Sequence, residues 1–456
     1  MCVGVGTPAA IATVDPLVTV SGPSPFARGC GDRPLRDIAS RNAEVEPSVA
    51  VNPTNPANLI AAWQQDRRPD GGARGIMVAA SQDGGRTWST PVAPPLTRCS
   101  GGSTANGGAY RSASDPWVSF GADGIAYLMA LTVDGRRAAN AMTVVTSGDG
   151  GVTWNPPVAL IIDDGGVFND KNSVTGDPAR PGVAYAVWAR SGRGGQRTFF
   201  TRTADGGRTW EIPHTILVES PGYLPLGHQI VVLPDGSLLL AYGRYGRHAT
   251  TLAIATSRDG GATWSIPRRV VRLPPLDGFV VDPFDGARVR TGDGVLPELA
   301  VDGRTGSVYM VWQATRAVGR TAVLISRSDD AGSTWSTPKV VNDVLRTQAF
   351  TPMVAVNADG TIAVTYYDLS DDSAKTRPLW TRAWVGRSFD GGQTFMSREA
   401  LTPERFDLRR APSVAGGYFL GDYQGLVGTG STFTAVFARG TGTAGDRTAI
   451  VATTIR

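Results

Sequence analysis

At 456 residues the chain exceeds the size at which one hydrophobic core usually stops growing, about 250–300 residues, so a single compact core is excluded. Its 57 glycines and 31 prolines cut it into short segments, which argues against long helices, and no apolar run reaches the ~18 residues that would span a membrane as a helix. The net charge is only +4, and no basic cluster is interleaved with aromatics, which argues against a nucleic-acid surface.

All but three of the 44 basic residues are arginine, the exceptions being Lys171, Lys339 and Lys375. This bias is read first as coding composition and second as a supply of planar guanidinium groups for carboxylate or sulfate on an acidic glycan. Residues 1–20 include Asp15 and lack a basic leader, so a signal peptide is expected to be absent or removed and the protein secreted or periplasmic. A lipid anchor on Cys2 is the minor alternative. Pro16 to Val20 reads as an isolated β-strand, and Cys30 and Cys99 are open to two readings, free buried thiols or, in an exported protein, a disulfide.

From Glu46 onward the chain repeats. Strand-like runs are followed by Ser81 to Trp88, Ser147 to Trp154, Thr203 to Trp210, Ser257 to Trp264, Ser328 to Trp335 and Ser388 to Phe395, with aspartates at 83, 149, 205, 259, 330 and 390. Each box places an acceptor at its third position and a residue tolerant of φ > 0 at its fifth, which predicts a self-closing turn whose aromatic ring is buried between two strands. Strand patterns begin near Glu46, Asp115, Asp170, Gly227, Pro297 and Thr351, and a last set runs over 418–427, 433–438 and 449–455.

These boxes resemble the Asp-box, or BNR, repeat of the sialidase-like superfamily. The resemblance implies an all-β propeller of four-stranded antiparallel blades over residues 46–456, preceded by a segment 1–45. Seven blades are expected, with the strand at 16–20 completing the last, and six is the fallback. Residues at the starts of first strands and the ends of second strands then line one mouth of the channel, opposite the boxes.

The same resemblance implies a carbohydrate-active hydrolase that cleaves a terminal sugar, including an acidic one, by acid/base chemistry. In Gln65-Asp66-Arg67-Arg68-Pro69-Asp70, Asp70 matches the family's acid/base aspartate, with Asp66 as the lesser alternative. Arg244 in Tyr242-Gly243-Arg244 matches an arginine of the carboxylate grip, and Tyr423 in Gly421-Asp422-Tyr423 matches the nucleophilic tyrosine. The sequence departs from the family at Val45-Glu46-Pro47, where an arginine is expected, at Gly227-His228, where a glutamate is expected, and in offering no third arginine. The expected catalytic set is Asp70, His228 and Tyr423. Arg67, Arg244, Tyr245, Arg247, Glu298, Tyr366, Asp368 and Asp422 are the expected substrate-binding residues, with no cofactor and no metal.

Two other readings compete. One is a lyase on a uronic-acid polymer, with His228 and Tyr245 or Tyr423 as base and acid and Arg244 or Arg247 neutralising the carboxylate. The other is a propeller that binds a glycan or a protein without catalysis.

Overall fold

The computed structural model describes residues 13–32, 38–135, 139–192, 194–274, 279–291, 295–315, 320–344, 346–443 and 445–456; Cys2 lies outside them. The fold is all-β, with two three-residue 3₁₀ turns among the described residues. The first sheet is the antiparallel meander Glu44–Asn52, Asn55–Arg67 and Ala73–Ser81, joined at Ala73–Ala113 to the second sheet, Ser112–Phe120, Ala126–Val133, Asn140–Ser147 and Val158–Asp163. Four-stranded sheets follow that start at Phe168–Gly176, Tyr223–Val232 and Glu298–Val301, and then a five-stranded sheet that starts at Ala349–Val356.

The final sheet, Gly425–Thr429, Thr432–Gly440 and Thr448–Ile455, takes Val18–Thr19 as its fourth strand, with Val18 opposite Ala452. The first strand of each sheet lies against the first strand of the next, and Gly425–Thr429 lies against Glu44–Asn52.

The core is correspondingly divided. Ile60 and Val78 of the first sheet pack with Val118 and Leu128 of the second; Met129 and Val144 pack with Val174 and Trp188; Phe200 packs with Leu240. Each layer sits between two neighbouring sheets, which is how a chain of this length buries its apolar side chains without one oversized core.

In the box at 257–264, Ser257 donates to Asp259 (2.8 Å), and Asp259 accepts from the Thr263 amide (2.9 Å) and the Thr263 hydroxyl (2.5 Å). The other five boxes repeat this pattern. The Thr263 hydroxyl and amide hold the Asp259 carboxyl down at about 2.

The expected full burial of the box aromatics between two strands is corrected. All six rings are half-buried, and Trp210 and Trp264 pack on the preceding sheet: Trp210 meets Tyr127 edge-on at 6.5 Å and Trp264 meets Phe200 at 5.6 Å. The turn is what reaches across. Gly261 has φ 93° and its Cα faces Phe200 so closely that an added Cβ would lie 2.2 Å from the ring. Gly261→Ala is therefore expected to destabilise the fold by about 1–3 kcal/mol in urea titrations, through overpacking and a disfavoured backbone.

A second correction concerns 418–427, expected as one strand. Gly417–Phe419 instead joins Ser413–Val414, Arg288–Arg290 and Phe279–Val281 in a small accessory sheet, and a new strand begins at Gly425. The break falls at Gly421, whose φ is 143° and whose Cα abuts the backbone of Glu46.

Candidate functional site

Several first strands carry the same irregularity. Register shifts between Val45 and Ser48, Ser114 and Trp117, and Phe350 and Met353 insert an extra residue, and Glu46, Asp115 and Thr351 adopt φ of 53°, 50° and 49°. Lys171 (φ 51°) and Gly227 (φ 67°) are the equivalents in the third and fourth sheets. Non-glycine residues are uncommon in this region, and bulges of this kind re-aim side chains next to sites.

The bulges bring charges together. Oxygens of Glu46, Asp115 and Asp422 lie within 4.8 Å of one another, and all three side chains are buried. The Lys171 ammonium sits 3.3 Å from Asp115 and contacts Asp422, so a lysine supplies the counter-charge that a cation would otherwise provide. Gln64 donates to Glu46, and Arg67 is 3.7 Å from it. Burial works to raise the Asp422 carboxyl, but Lys171, Arg290 and Arg67 override it and hold it well below the usual range. Burial and then the neighbouring Asp422 and Asp115 push Glu46 well up from the ordinary carboxyl range.

Above this cluster opens a pocket of about 440 Å³, with Asp70, Asp115, Asp170, Arg67, Arg111, Lys171 and Arg290 on its walls. Asp70 is 34% exposed and accepts from Arg111 at 3.1 Å. Arg111 is aimed by the Gly31 carbonyl (2.8 Å), and a Cys30–Cys99 disulfide, one of the two readings the sequence leaves open, pins that segment beside the first sheet. Asp32 braces it further, pairing with Arg68 and Arg74 at 2.7 Å each. The guanidinium groups of Arg67 and Arg290 both lie against the buried Phe419 ring, at 4.9 Å and 5.2 Å.

His228, Glu298 and Tyr423 are placed elsewhere, around a separate void of about 20 Å³ that Asp115, Lys171 and Asn172 also line. That is room for about one water molecule. His228 is 2% exposed, bonded through Nε2 to Thr198 at 2.8 Å and stacked on Tyr242, and burial lowers it to about 3. Tyr423 is 5% exposed and donates to the Pro116 carbonyl at 2.9 Å, and burial followed by the surrounding carboxylates pushes its phenol far up.

The remaining expected residues are spread further. Asp66 is enclosed by Ser24, Asn42 and Arg74. Arg244 is paired with Glu219 at 2.7 Å, Tyr245 donates to the Val295 carbonyl, and Arg247 is exposed on a turn. Tyr366 is fully buried in a core layer, and Asp368 is held by Arg398 and the Trp384 indole (2.7 Å). None of these lines either cavity.

Sequence reasoning passed over Arg111, Arg290 and the role of Lys171. The available signal was the repeated left-handed position at the head of each first strand, written as Glu46-Pro47, Asp115-Pro116 and Thr351-Pro352. Arg290 had no such signal, because it enters on the accessory sheet.

The buried acids predict a pH profile. Burial raises Glu44 and Glu298 to about 8, and Glu46 is raised too. The stability that Glu44 and Glu298 carry is complete below about pH 4.5 and is lost as pH rises toward 8, and Glu46 acts in the same direction. His228 acts oppositely, its contribution being lost as pH falls from about 6.5 to 3, and the box aspartates lose theirs between about pH 4 and 2. Three carboxyls outweigh one imidazole between these limits, so thermal melts are expected to peak at about pH 4–5 and fall steadily to pH 8. A melting temperature that rises between pH 5 and 8 would contradict this arrangement.

No family model matches the chain, and no curated protein does. Among solved structures it is similar to the Hadza microbial sialidase Hz136, at 16% identity over 86% of this chain and 76% of that one, with a TM-score of 0.50. A protein of unknown function from Dyadobacter fermentans is 13% identical over 93% and 98% (TM-score 0.49), and a Penicillium chrysogenum α-L-arabinanase complexed with arabinobiose is 14% identical over 96% and 98% (TM-score 0.46). At such identities the likeness to the sialidase shows the fold alone: the chain has an all-β propeller fold of the sialidase-like kind.

Proposed function

We propose that the chain is an exported glycoside hydrolase whose residues 46–456 form one seven-bladed propeller domain, and that the 440 Å³ mouth pocket cleaves a terminal, acidic sugar. Seven blades are supported by the succession of first strands, the last lying against the first. The observation that carries the activity is the joint presence in one pocket of a part-exposed carboxyl, Asp70, and a set of cations, Arg67, Arg111, Lys171 and Arg290. A glycosidic bond needs a proton delivered to its leaving oxygen, and Asp70 is the acid group at the pocket surface braced by a fixed guanidinium. The cations favour a substrate bearing a carboxylate.

On this reading His228 and Tyr423 act from behind the pocket. Tyr423 ties the segment before Gly425–Thr429 to Pro116, next to Asp115, and so holds the charged cluster in place. Arg244 and Arg247, which a lyase at the fourth sheet would use, stand away from the pocket.

The test is a product screen on aryl glycosides and acidic polysaccharides that reads both new reducing ends and ultraviolet absorbance. Reducing ends without absorbance support hydrolysis. Absorbance signals elimination and overturns it, and retention of unchanged glycan in both assays makes the chain a binding propeller.

A further inference from the structure

A second polar trough runs apart from the mouth pocket. Three adjoining grooves share lining residues: Trp380, Glu404 and Arg405 are common to the first two, and Arg410 links the second to the third. Many arginines of the protein pair with its own carboxylates, and two that line the trough do so, Arg382 with Asp371 and Arg409 with Asp282 and Asp285. Other arginines of the trough do not pair in this way. Arg405, Arg410, Arg439 and Arg447 form no ion pair among the described residues, and Arg405, Arg410 and Arg447 are exposed. Arg405 lies over the half-buried Trp380 ring at 4.4 Å.

We propose that this trough is a non-catalytic binding site for a carboxylated polysaccharide, distinct from the mouth pocket. Guanidinium groups left without carboxylates inside the protein are fitted to accept carboxylates from outside, two hydrogen bonds at a time. Acidic side chains alternate with them: Glu404 and Asp407 in one groove and Asp446 in the next. Hydroxyl groups of a sugar chain donate to such acids, whereas the unbroken phosphates of a nucleic acid would be repelled by them. A uronic-acid polymer, with one carboxylate and several hydroxyls per residue, matches both halves of the pattern.

The test uses the full chain carrying Asp70→Asn, so that turnover does not interfere, and titrates it calorimetrically with polygalacturonate, neutral galactan and single-stranded oligodeoxythymidine. Polygalacturonate is expected to bind, and to bind at least about tenfold more weakly when Arg410, Arg439 and Arg447 are all changed to Ala, with the melting temperature unchanged. Neutral galactan is expected not to bind. Should the triple variant fold poorly, Arg447→Glu alone, on an exposed turn, is expected to weaken binding at least about threefold. Undiminished affinity in a folded variant, no binding of polygalacturonate to the parent, or tighter binding of the oligonucleotide would each overturn the assignment.

Discussion

Lys171→Met is expected to destabilise the protein by about 3–5 kcal/mol at pH 7, the cost of leaving buried carboxylates without their counter-ion. The side chain is 7% exposed, and both Asp115 and Asp422 lean on it. Two companion measurements separate this electrostatic cause from lost packing. Lowering the pH should shrink the deficit, because stranded carboxylates can take up protons, and Asp422→Asn should recover part of it, because removing both partners costs less than removing one. Urea titrations of the single and double variants at pH 5 and 7 decide the matter. A deficit that is the same at both pH values and unrelieved by Asp422→Asn would mean that Lys171 matters only as volume.

The contrast between what could be read from the sequence and what could not follows from the range of the interactions. The boxes are local: Asp259 finds its partners within four residues, so the pattern of the chain displays the turn directly. The N-terminal strand was legible because Pro16 to Val20 is apolar and had no local partner, and the last sheet lacked a fourth strand. Lys171 and Asp422 meet across 251 positions, and nothing near either residue announces the other. Arg290 reaches the pocket on an accessory sheet that no repeat predicts.

The resemblance by motif also favoured side chains the fold turned inward. His228 and Tyr423 sit where first strands begin, but bulges rotate successive residues, and it is Asp115 and Lys171 that line both the void and the open pocket. A sequence places a residue at the mouth; the bulge decides which neighbour faces the ligand.

Asp70 is where that reading meets an activity assay. Asp70→Asn preserves the shape of the side chain and retains an acceptor for Arg111, so with a pair that is one-third exposed on the acid's side the melting temperature should move by no more than a few degrees. Turnover should not be spared, since an amide cannot deliver a proton, and kcat is expected to fall about 10²–10⁴-fold on a natural glycoside with KM little changed. The decisive readout is the leaving group. An aryl glycoside whose phenol is already acidic needs little help in departing, so the loss on that substrate should be much smaller than on an alkyl glycoside. Equal losses on both would make Asp70 a binding residue, and wild-type kcat on both would move the proton donor to another carboxyl of the pocket, Asp115 or Asp170.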